Sequence, residues 1–338
     1  MRSFTRASPC FLPNVFTHSL APPLHSIDVC VCAPPHHSRA PLLTRPTRSG
    51  GEEITFLDVA AHSCTNECFT SAFTTNLAIL GGGLILAPGR FKAANDGGHN
   101  HHSARIGAWV EGGRWEGAGD DTIHVSGLVF SAVQQWNGTS DGKPRLRLHF
   151  LRGEPHAAKS IQPGDVLQFL NRTTGLLFSE RRVLSVTIDP PVDASVTGGG
   201  GLGGTGGVAV NAPTVVTLDG YPGQLDLGVI GANVESATNI YNLNVTATQF
   251  VFRGNHVRAG RRFGVLAKGQ RMCVESNTFV GLGGAAVAFD YMDTEGLSAR
   301  SAVVRDNIVR DVELLATHDV RAAFWVDGPY RPSGSHQV

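Results

Sequence analysis

An internal repeat constrains the fold of this chain more than any other feature of its sequence. The segment Val110–Val125 (VEGGRWEGAGDDTIHV) aligns without a gap with Val274–Phe289 (VESNTFVGLGGAAVAF), so that apolar, glycine and aromatic positions coincide. The segments Phe252–Val265 and Val304–Val309 follow the same template. A short period repeated along a chain is the sequence signature of stacked architectures. The repeat therefore favours a coiled β-structure over a sandwich.

Three asparagines mark equivalent corners of this repeat and set its period. Asn255 and Asn277 are separated by 22 residues, and Asn277 and Asn307 by 30. A period near 22 predicts one coil of a right-handed parallel β-helix, with the longer step absorbed by a corner loop at 290–298. Asparagine tolerates left-handed backbone at such corners, and stacked amides hydrogen-bond from coil to coil. The predicted fold class is all-β, a right-handed parallel β-helix of the pectin-lyase type.

Between residues 128 and 242 the coil template is absent, and the pattern becomes one of hairpins. Alternation of apolar and polar residues between turn signals predicts antiparallel strands. The predicted strands are Pro144–Phe150, Asp165–Leu170, Arg182–Ile188, Val208–Val210 and Pro213–Leu218. We interpret 128–242 as an inserted antiparallel β-barrel-like domain. It separates β-helix coils at 51–127 and 243–315, and tails precede and follow at 1–50 and 316–338.

The charge balance argues against two classes of partner. The 28 basic and 28 acidic side chains give a net charge of zero, so no surface for nucleic acid or an anionic membrane is predicted. The longest apolar run, 77–88, is interrupted by glycines and too short to span a bilayer. No membrane span is expected.

The compartment is less constrained. Residues 1–50 are basic, contain serine and are poor in acidic residues, a composition shared by transit peptides, disordered tails and a misplaced start. The pair Cys64 and Cys68 has the spacing of a local disulfide, of two free thiols or of half a metal site. N-glycosylation sequons stand at Asn137, Asn171 and Asn244. Of these features, the sequons favour an extracellular or secretory location.

Two adjacent carboxylates are the strongest chemical signal in the chain. Asp120 and Asp121 stand where a later coil has Gly284 and Ala285, so the scaffold does not require carboxylates at this position. Asp96 precedes Asp120 by 24 residues, about one coil, which places it beside the pair at about 5 Å, one inter-strand spacing. Such a cluster binds a hard cation through oxygens, or performs acid/base hydrolysis with one carboxyl protonated.

Histidines accompany this cluster. His99, His102 and His124 are expected near the three carboxylates. The run at 98–102 has no partner motif for a transition-metal site, and we expect neither a resident metal nor a cofactor.

The carboxylate segments resemble a known enzyme family. Ala93–Gly97 (AANDG) and Glu116–Gly127 (EGAGDDTIHVSG) are similar to the catalytic region of glycoside hydrolase family 110, and Arg261–Leu266 (RRFGVL) and Val274–Phe279 extend the likeness. The resemblance covers roughly residues 55–315. It implies a β-helical inverting α-galactosidase that removes terminal α-1,3-linked galactose from glycans, with a β-barrel insertion after the Asp-Asp coil.

The resemblance also implies roles for individual residues. Asp120 would be the general acid that protonates the leaving oxygen, and Asp121 and Asp96 would hold and activate the attacking water. A galactosylated glycan is the expected partner. The residues expected to bind this substrate are His99, His124, Arg261, Asp290 and Glu295.

The chain departs from the family pattern in ways that keep two alternatives open. Phe263 replaces the second arginine of the family's Arg-x-Arg-Gly segment, and a tryptophan expected between Asp290 and Glu295 is absent. Structured coils before Asp96 are also few. One alternative is a non-catalytic carbohydrate-binding or structural β-helix. The other is a calcium-dependent polysaccharide lyase or epimerase with an arginine as base, for which the available residues are Arg258, Arg261 and Arg262.

Overall fold

The computed structural model describes residues 51–138, 140–150, 160–171, 174–188, 214–227, 238–289, 295–296, 299–315 and 322–327. These residues form 24 β-strands and one short 3₁₀ turn at Leu243–Val245. The tail at 1–50, the predicted strand Val208–Val210 and most of 316–338 lie outside the described residues. Eighteen strands build three parallel sheets, and six build a closed antiparallel barrel.

The three parallel sheets have six strands each and are called sheets 1, 2 and 3. Sheet 1 contains β1 (Thr55–Leu57), β4 (Ala78–Leu80), β7 (Trp109–Glu111), β16 (Val251–Arg253), β19 (Cys273–Glu275) and β22 (Val303–Arg305). Sheet 2 contains β2 (Ala60–Ala61), β5 (Gly83–Leu84), β8 (Arg114–Glu116), β17 (His256–Arg258), β20 (Thr278–Val280) and β23 (Ile308–Arg310). Sheet 3 contains β3 (Phe69–Ala72), β6 (His99–His102), β9 (Ile123–Ser126), β18 (Val265–Ala267), β21 (Val287–Phe289) and β24 (Phe324–Val326).

The chain visits the sheets in strict rotation, so every third strand returns to the same sheet. One passage through sheets 1, 2 and 3 is called a coil, and coils 1 to 6 follow in chain order. The predicted equivalence of Val110 with Val274 is confirmed, because both pair with Phe252 from either side in sheet 1. The predicted all-β class with parallel sheets is likewise confirmed.

The space between the three sheets is filled by apolar side chains. Strand alternation sends every second residue inward, and these residues form one buried cluster along the coils. Its largest fully buried members are Trp115, Phe250, Phe252 and Phe279. Burial of such side chains contributes roughly 1.5–3 kcal/mol each, which makes this column the main source of stability for coils of only two to four residues per strand.

Asparagines stack at the corner between sheets 1 and 2, as their spacing predicted. The amide of Asn255 donates to Oδ1 of Asn277 at 2.9 Å, and the amide of Asn277 donates to Oδ1 of Asn307 at 2.9 Å. One detail of the prediction was wrong: the left-handed residue is the one before each asparagine, such as Ser276 (φ 57°) and Asp306 (φ 56°). The asparagine itself supplies the side-chain ladder that links one coil to the next.

The predicted insertion forms the closed barrel. Its strands are β10 (Val129–Asn137), β11 (Pro144–Phe150), β12 (Val166–Leu170), β13 (Leu177–Ile188), β14 (Thr214–Leu218) and β15 (Asn239–Asn242). All neighbouring strands pair antiparallel. Arg105 of the coils donates to Asp165 at 2.8 Å, and Asn242 also donates to Asp165 at 2.7 Å. A buried carboxylate thus ties the barrel to coils 2 and 3.

Two smaller findings concern the first coil and the membrane. Cys64 and Cys68 form a disulfide just before β3, with Cα atoms 5.4 Å apart, so the first of the three interpretations of this pair holds. Among the described residues, no helix has the length and apolar character needed to cross a bilayer.

Candidate active site

The Asp120–Asp121 pair lies at the corner where coil 3 turns from β8 into β9. The chain needs glycine at this corner, because a Cβ atom on Gly119 would lie 2.2 Å from the backbone oxygen of Asn95 in the preceding coil. The amides of Gly119 and Asp120 donate to the carbonyl oxygen of Asp96 at 3.0 and 3.2 Å. The close approach that glycine permits therefore brings Asp96 against the pair, as the 24-residue spacing predicted.

The same corner recurs in coils 1 to 5, and its residues change character along the stack. Phe69, His99, Ile123, Val265 and Val287 are paired in register across sheet 3. The residues three and two positions before these are Asn66 and Glu67, Asp96 and Gly97, Asp120 and Asp121, Arg262 and Phe263, and Gly284 and Ala285. Carboxylates therefore occupy the corners of coils 1, 2 and 3, and a guanidinium occupies the corner of coil 4. We call Glu67, Asp96, Asp120 and Asp121 the acidic corner.

Asp121 is the most buried member of the acidic corner, with 6% of its surface exposed. Its Oδ1 atom is buried and has no hydrogen-bond partner among the described residues. Burial raises the pKa of Asp121 to about 6, although His124 and Arg262 oppose the shift. The carboxyl therefore holds a proton well above the pH at which an exposed aspartate loses it.

Asp120, next in the chain, has a different environment. Its Oδ1 atom accepts a hydrogen bond from Nη1 of Arg262 at 2.6 Å, and the same nitrogen lies 3.7 Å from Oδ2 of Asp121. Although burial alone would lower the pKa of Arg262, the charge of Asp121 and the contact with Asp120 raise it. One guanidinium from coil 4 thus contacts both carboxylates of coil 3, and Asp120 accepts a hydrogen bond from it.

Asp96 is the third carboxyl that was predicted, and its pKa is also raised. Partial burial is the main cause, and the charges of Glu67 and Asp120 add to it. Glu67 lies inside the disulfide loop and accepts hydrogen bonds from Thr70 at 2.5 Å and from Asn100 at 2.8 Å. The charges of Glu67 and Asp120 thus favour the protonated form of the Asp96 carboxyl.

A second charged group lies on the outward side of β9 and β18. Lys268, whose side chain is fully buried, contacts Oε2 of Glu295 at 2.5 Å, and Nε2 of His124 lies 3.4 Å from the same oxygen. Burial alone would raise the pKa of Glu295, but His124 and Lys268 outweigh it and hold the pKa far below its usual range. Glu295 is therefore ionised, and His124 lies between it and the acidic corner.

The predicted substrate-binding residues have different positions. His124 and Glu295 lie together, as just described, and Asp290 lies outside the described residues. His99 requires a correction. It is fully buried between the sheets, its Nε2 lies 3.0 Å from the Ser71 hydroxyl, and its strand neighbour Asn100 faces outward in register with His124. The prediction was one residue out of phase, and in a strand one residue reverses the side.

Three residues of the site were missed or given less weight by the sequence analysis. The predicted arginine was Arg261, whose side chain is exposed, whereas Arg262 contacts the aspartates. Lysine is usually exposed, and nothing in the sequence around Lys268 marked it as a residue of the site. Glu67 could have been found by extending the corner register one coil upstream from Asp96, but the long connection between β5 and β6 separates Phe69 from its partner His99 by 30 residues.

No protein-family model matches this chain, and no curated protein matches it. Within the described residues, no group of three or more histidine, cysteine, aspartate or glutamate side chains has the arrangement of a metal site. The arrangement combines a buried carboxyl of raised pKa, an adjacent carboxylate held by arginine and a third carboxyl one coil away.

Proposed function

We propose that this chain is an inverting glycoside hydrolase that cleaves terminal α-1,3-linked galactose from glycans. The observation that carries the proposal is the difference between Asp120 and Asp121, adjacent carboxyls of which one is buried with a raised pKa and the other is bound to Arg262. Glycosidases need one carboxylic acid to protonate the leaving oxygen and one carboxylate to activate water. Two environments for two neighbouring aspartates supply that division.

The fold supports the same proposal. Six coils through three parallel sheets are the arrangement expected of a right-handed parallel β-helix, and the barrel between coils 3 and 4 stands where the resemblance to glycoside hydrolase family 110 implies an insertion. The galactose specificity comes from that resemblance alone. The disulfide between Cys64 and Cys68 agrees with an oxidising, secretory environment.

The burial pattern favours a revised division of roles. We assign the transferable proton to Asp121, in place of Asp120, because its pKa is about 6. Asp121 would protonate the glycosidic oxygen while a water molecule attacks the anomeric carbon from the opposite face. Asp120, with Asp96 beside it, would accept the proton of that water. Arg262 would orient Asp120, and the products would be β-galactose and the shortened glycan.

Leaving-group dependence tests these roles. A 2,4-dinitrophenyl leaving group departs without protonation, so Asp121→Asn should retain most of its activity on the dinitrophenyl α-galactoside and lose about 10³-fold on galactosyl-α-1,3-galactose. Asp120→Asn should lose activity on both substrates, because water activation is still needed. The opposite pattern would return the acid role to Asp120, and a wild-type protein that is folded and inactive on both substrates would contradict the proposal.

A chelator separates the remaining alternatives. Hydrolysis by the proposed mechanism is insensitive to EDTA. Activity on a uronic-acid polysaccharide that disappears with EDTA, returns with Ca²⁺ and yields an unsaturated product would identify a lyase. Binding of galactosides without any turnover would identify a carbohydrate-binding protein.

A further inference from the structure

The outward face of sheet 3 changes character halfway along the stack. One row of paired residues crosses all six strands, and its members are Thr70, Asn100, His124, Leu266, Ala288 and Trp325. The first three are polar and adjoin the acidic corner. The last three are apolar, although they stand on the same outward side. An outward row that turns apolar marks either a covered surface or a binding surface.

An aromatic pair covers the apolar half of this row. Phe263 packs with Leu266, Ala285 and Ala288, and Trp325 lies partly exposed against them. The ring centroids of Phe263 and Trp325 are 6.0 Å apart, with their planes inclined by 39°. Phe263 is 2% exposed, so Trp325 is the member of the pair that meets solvent.

The aromatic pair is continuous with the carboxylates. The guanidinium carbon of Arg262 lies 5.3 Å from the centre of the Phe263 ring, and Arg262 holds Asp120. Three contacts in series, from Asp120 to Arg262, from Arg262 to Phe263 and from Phe263 to Trp325, therefore connect the acidic corner to Trp325. The face offers acidic and basic groups at one end and a flat apolar ring at the other.

We propose that Trp325, supported from beneath by Phe263, is the platform on which a pyranose ring of the substrate stacks. Sugar rings carry hydroxyl groups around their edge and C–H groups on their faces, so they are recognised by polar side chains beside an aromatic plane. The polar requirement is met by the acidic corner, Arg262 and His124. The ligand class is a galactose-terminated oligosaccharide, and this assignment rests on the proposed function.

Replacement of Trp325 by Leu and by Phe gives the test. Both side chains can pack on Phe263, but only Phe retains an aromatic plane. Trp325→Leu should raise KM for galactosyl-α-1,3-galactose about tenfold with kcat changed less than threefold, whereas Trp325→Phe should remain within about threefold of wild type. Trp136→Phe, in barrel strand β10, is the matched control. Thermal melting of each variant checks that it is folded.

A binding measurement separates this inference from the proposed function. Titration of galactosyl-α-1,3-galactose into Asp121→Asn, with and without Trp325→Leu, reports affinity without turnover. Weaker binding in the double variant supports the platform even if the wild type proves inactive. Equal affinity and equal KM in a protein that hydrolyses galactosides would overturn the platform and leave the hydrolase standing. A larger effect on the disaccharide than on an aryl galactoside would place the leaving-group sugar on Trp325, and equal effects would place the terminal galactose there.

Discussion

The corner of coil 3 and the corner of coil 5 hold equivalent positions before sheet 3 and differ in chemistry. Gly119 and Gly283 occupy the same position, and a Cβ atom on either would lie 2.2 or 1.9 Å from a carbonyl oxygen of the preceding coil. Each amide donates to that preceding coil, at 3.0 and 2.9 Å. The next two residues are Asp120 and Asp121 in coil 3, and a glycine and an alanine in coil 5. The glycine is therefore structural, and the carboxylates are additions to a corner that is complete without them.

The buried carboxylate of coil 3 also lowers the stability of the folded state. The pKa of Asp121 rises from 3.8 to about 6 on burial, so ionising it at pH 7 costs the folded state about 3 kcal/mol. Coil 5 carries no such cost. A loss of folding free energy at one corner that is absent from the equivalent corner is expected at a functional site, where reactive groups lower stability.

The largest effect is expected from making coil 3 like coil 5. The double variant Asp120→Gly, Asp121→Ala should lose hydrolytic activity by about 10⁴-fold or more, because it lacks both acid and base. Its free energy of unfolding at pH 7 should equal or exceed that of wild type, since the buried carboxylate is gone. Activity assays and urea denaturation measure the two properties, with Asp306→Asn at an exposed corner of sheet 1 as control.

The pH dependence of this stability gain follows from linkage. A carboxyl whose folded pKa is raised contributes stability that is fully present below about pH 3.9 and is lost as the pH rises through about 6. The difference between the double variant and wild type should therefore shrink as the pH falls from 7 to 4. A double variant that fails to fold would show that these carboxylates hold the corner together.

A smaller effect is expected at the coil 4 corner. Arg262→Met should lower kcat about 10²-fold, because Asp120 loses the guanidinium that orients its carboxylate. Arg261→Met, one residue away with an exposed side chain, should lower activity less than tenfold. Arg253→Met is the control, since Arg253 forms a comparable ion pair with Glu111 on sheet 1, at 2.7 Å. A larger loss of activity in Arg261→Met than in Arg262→Met would support the original prediction that Arg261 binds the substrate.

The smallest effect is expected from the buried histidines on the inner side of sheet 3. Burial, aided by the charge of His102, lowers the pKa of His99 to about 3, and burial lowers the pKa of His101 as well. Such histidines contribute stability above about pH 6.5 that is lost as the pH falls toward 3. His99→Leu should therefore move the acid unfolding midpoint down by about half a pH unit. Circular dichroism between pH 7 and 3 measures it, with the exposed His62→Leu as control, and an unchanged midpoint would contradict the assignment.

Much of this arrangement was predictable because it rests on local rules. The repeat alignment located equivalent corners, and the 24-residue spacing brought Asp96 beside Asp120 because a parallel stack fixes the distance between coils. The barrel was predicted because its alternation differs from the coil template. These features depend on period and turn chemistry, which a single sequence records.

The predictions that were wrong or absent also have physical causes. Four consecutive residues in β6 are histidine or asparagine, so no apolar pattern fixed the strand's phase, and His99 was assigned to the wrong face. Arg261 and Arg262 are adjacent and chemically identical. Lys268 is buried against Glu295, which comes from the following coil and supplies its counter-charge. Trp325 reaches the site through sheet pairing with Ala288, a contact that no local pattern shows.

The anomeric form of the first product tests the central claim most directly. Proton NMR of the galactose released during the first minutes of hydrolysis distinguishes the two anomers before mutarotation mixes them. Hydrolysis by Asp121 as acid and water activated by Asp120 inverts the configuration, so β-galactose should appear first, and the double variant should release none. Initial release of α-galactose, or release that survives loss of both aspartates, would contradict the account.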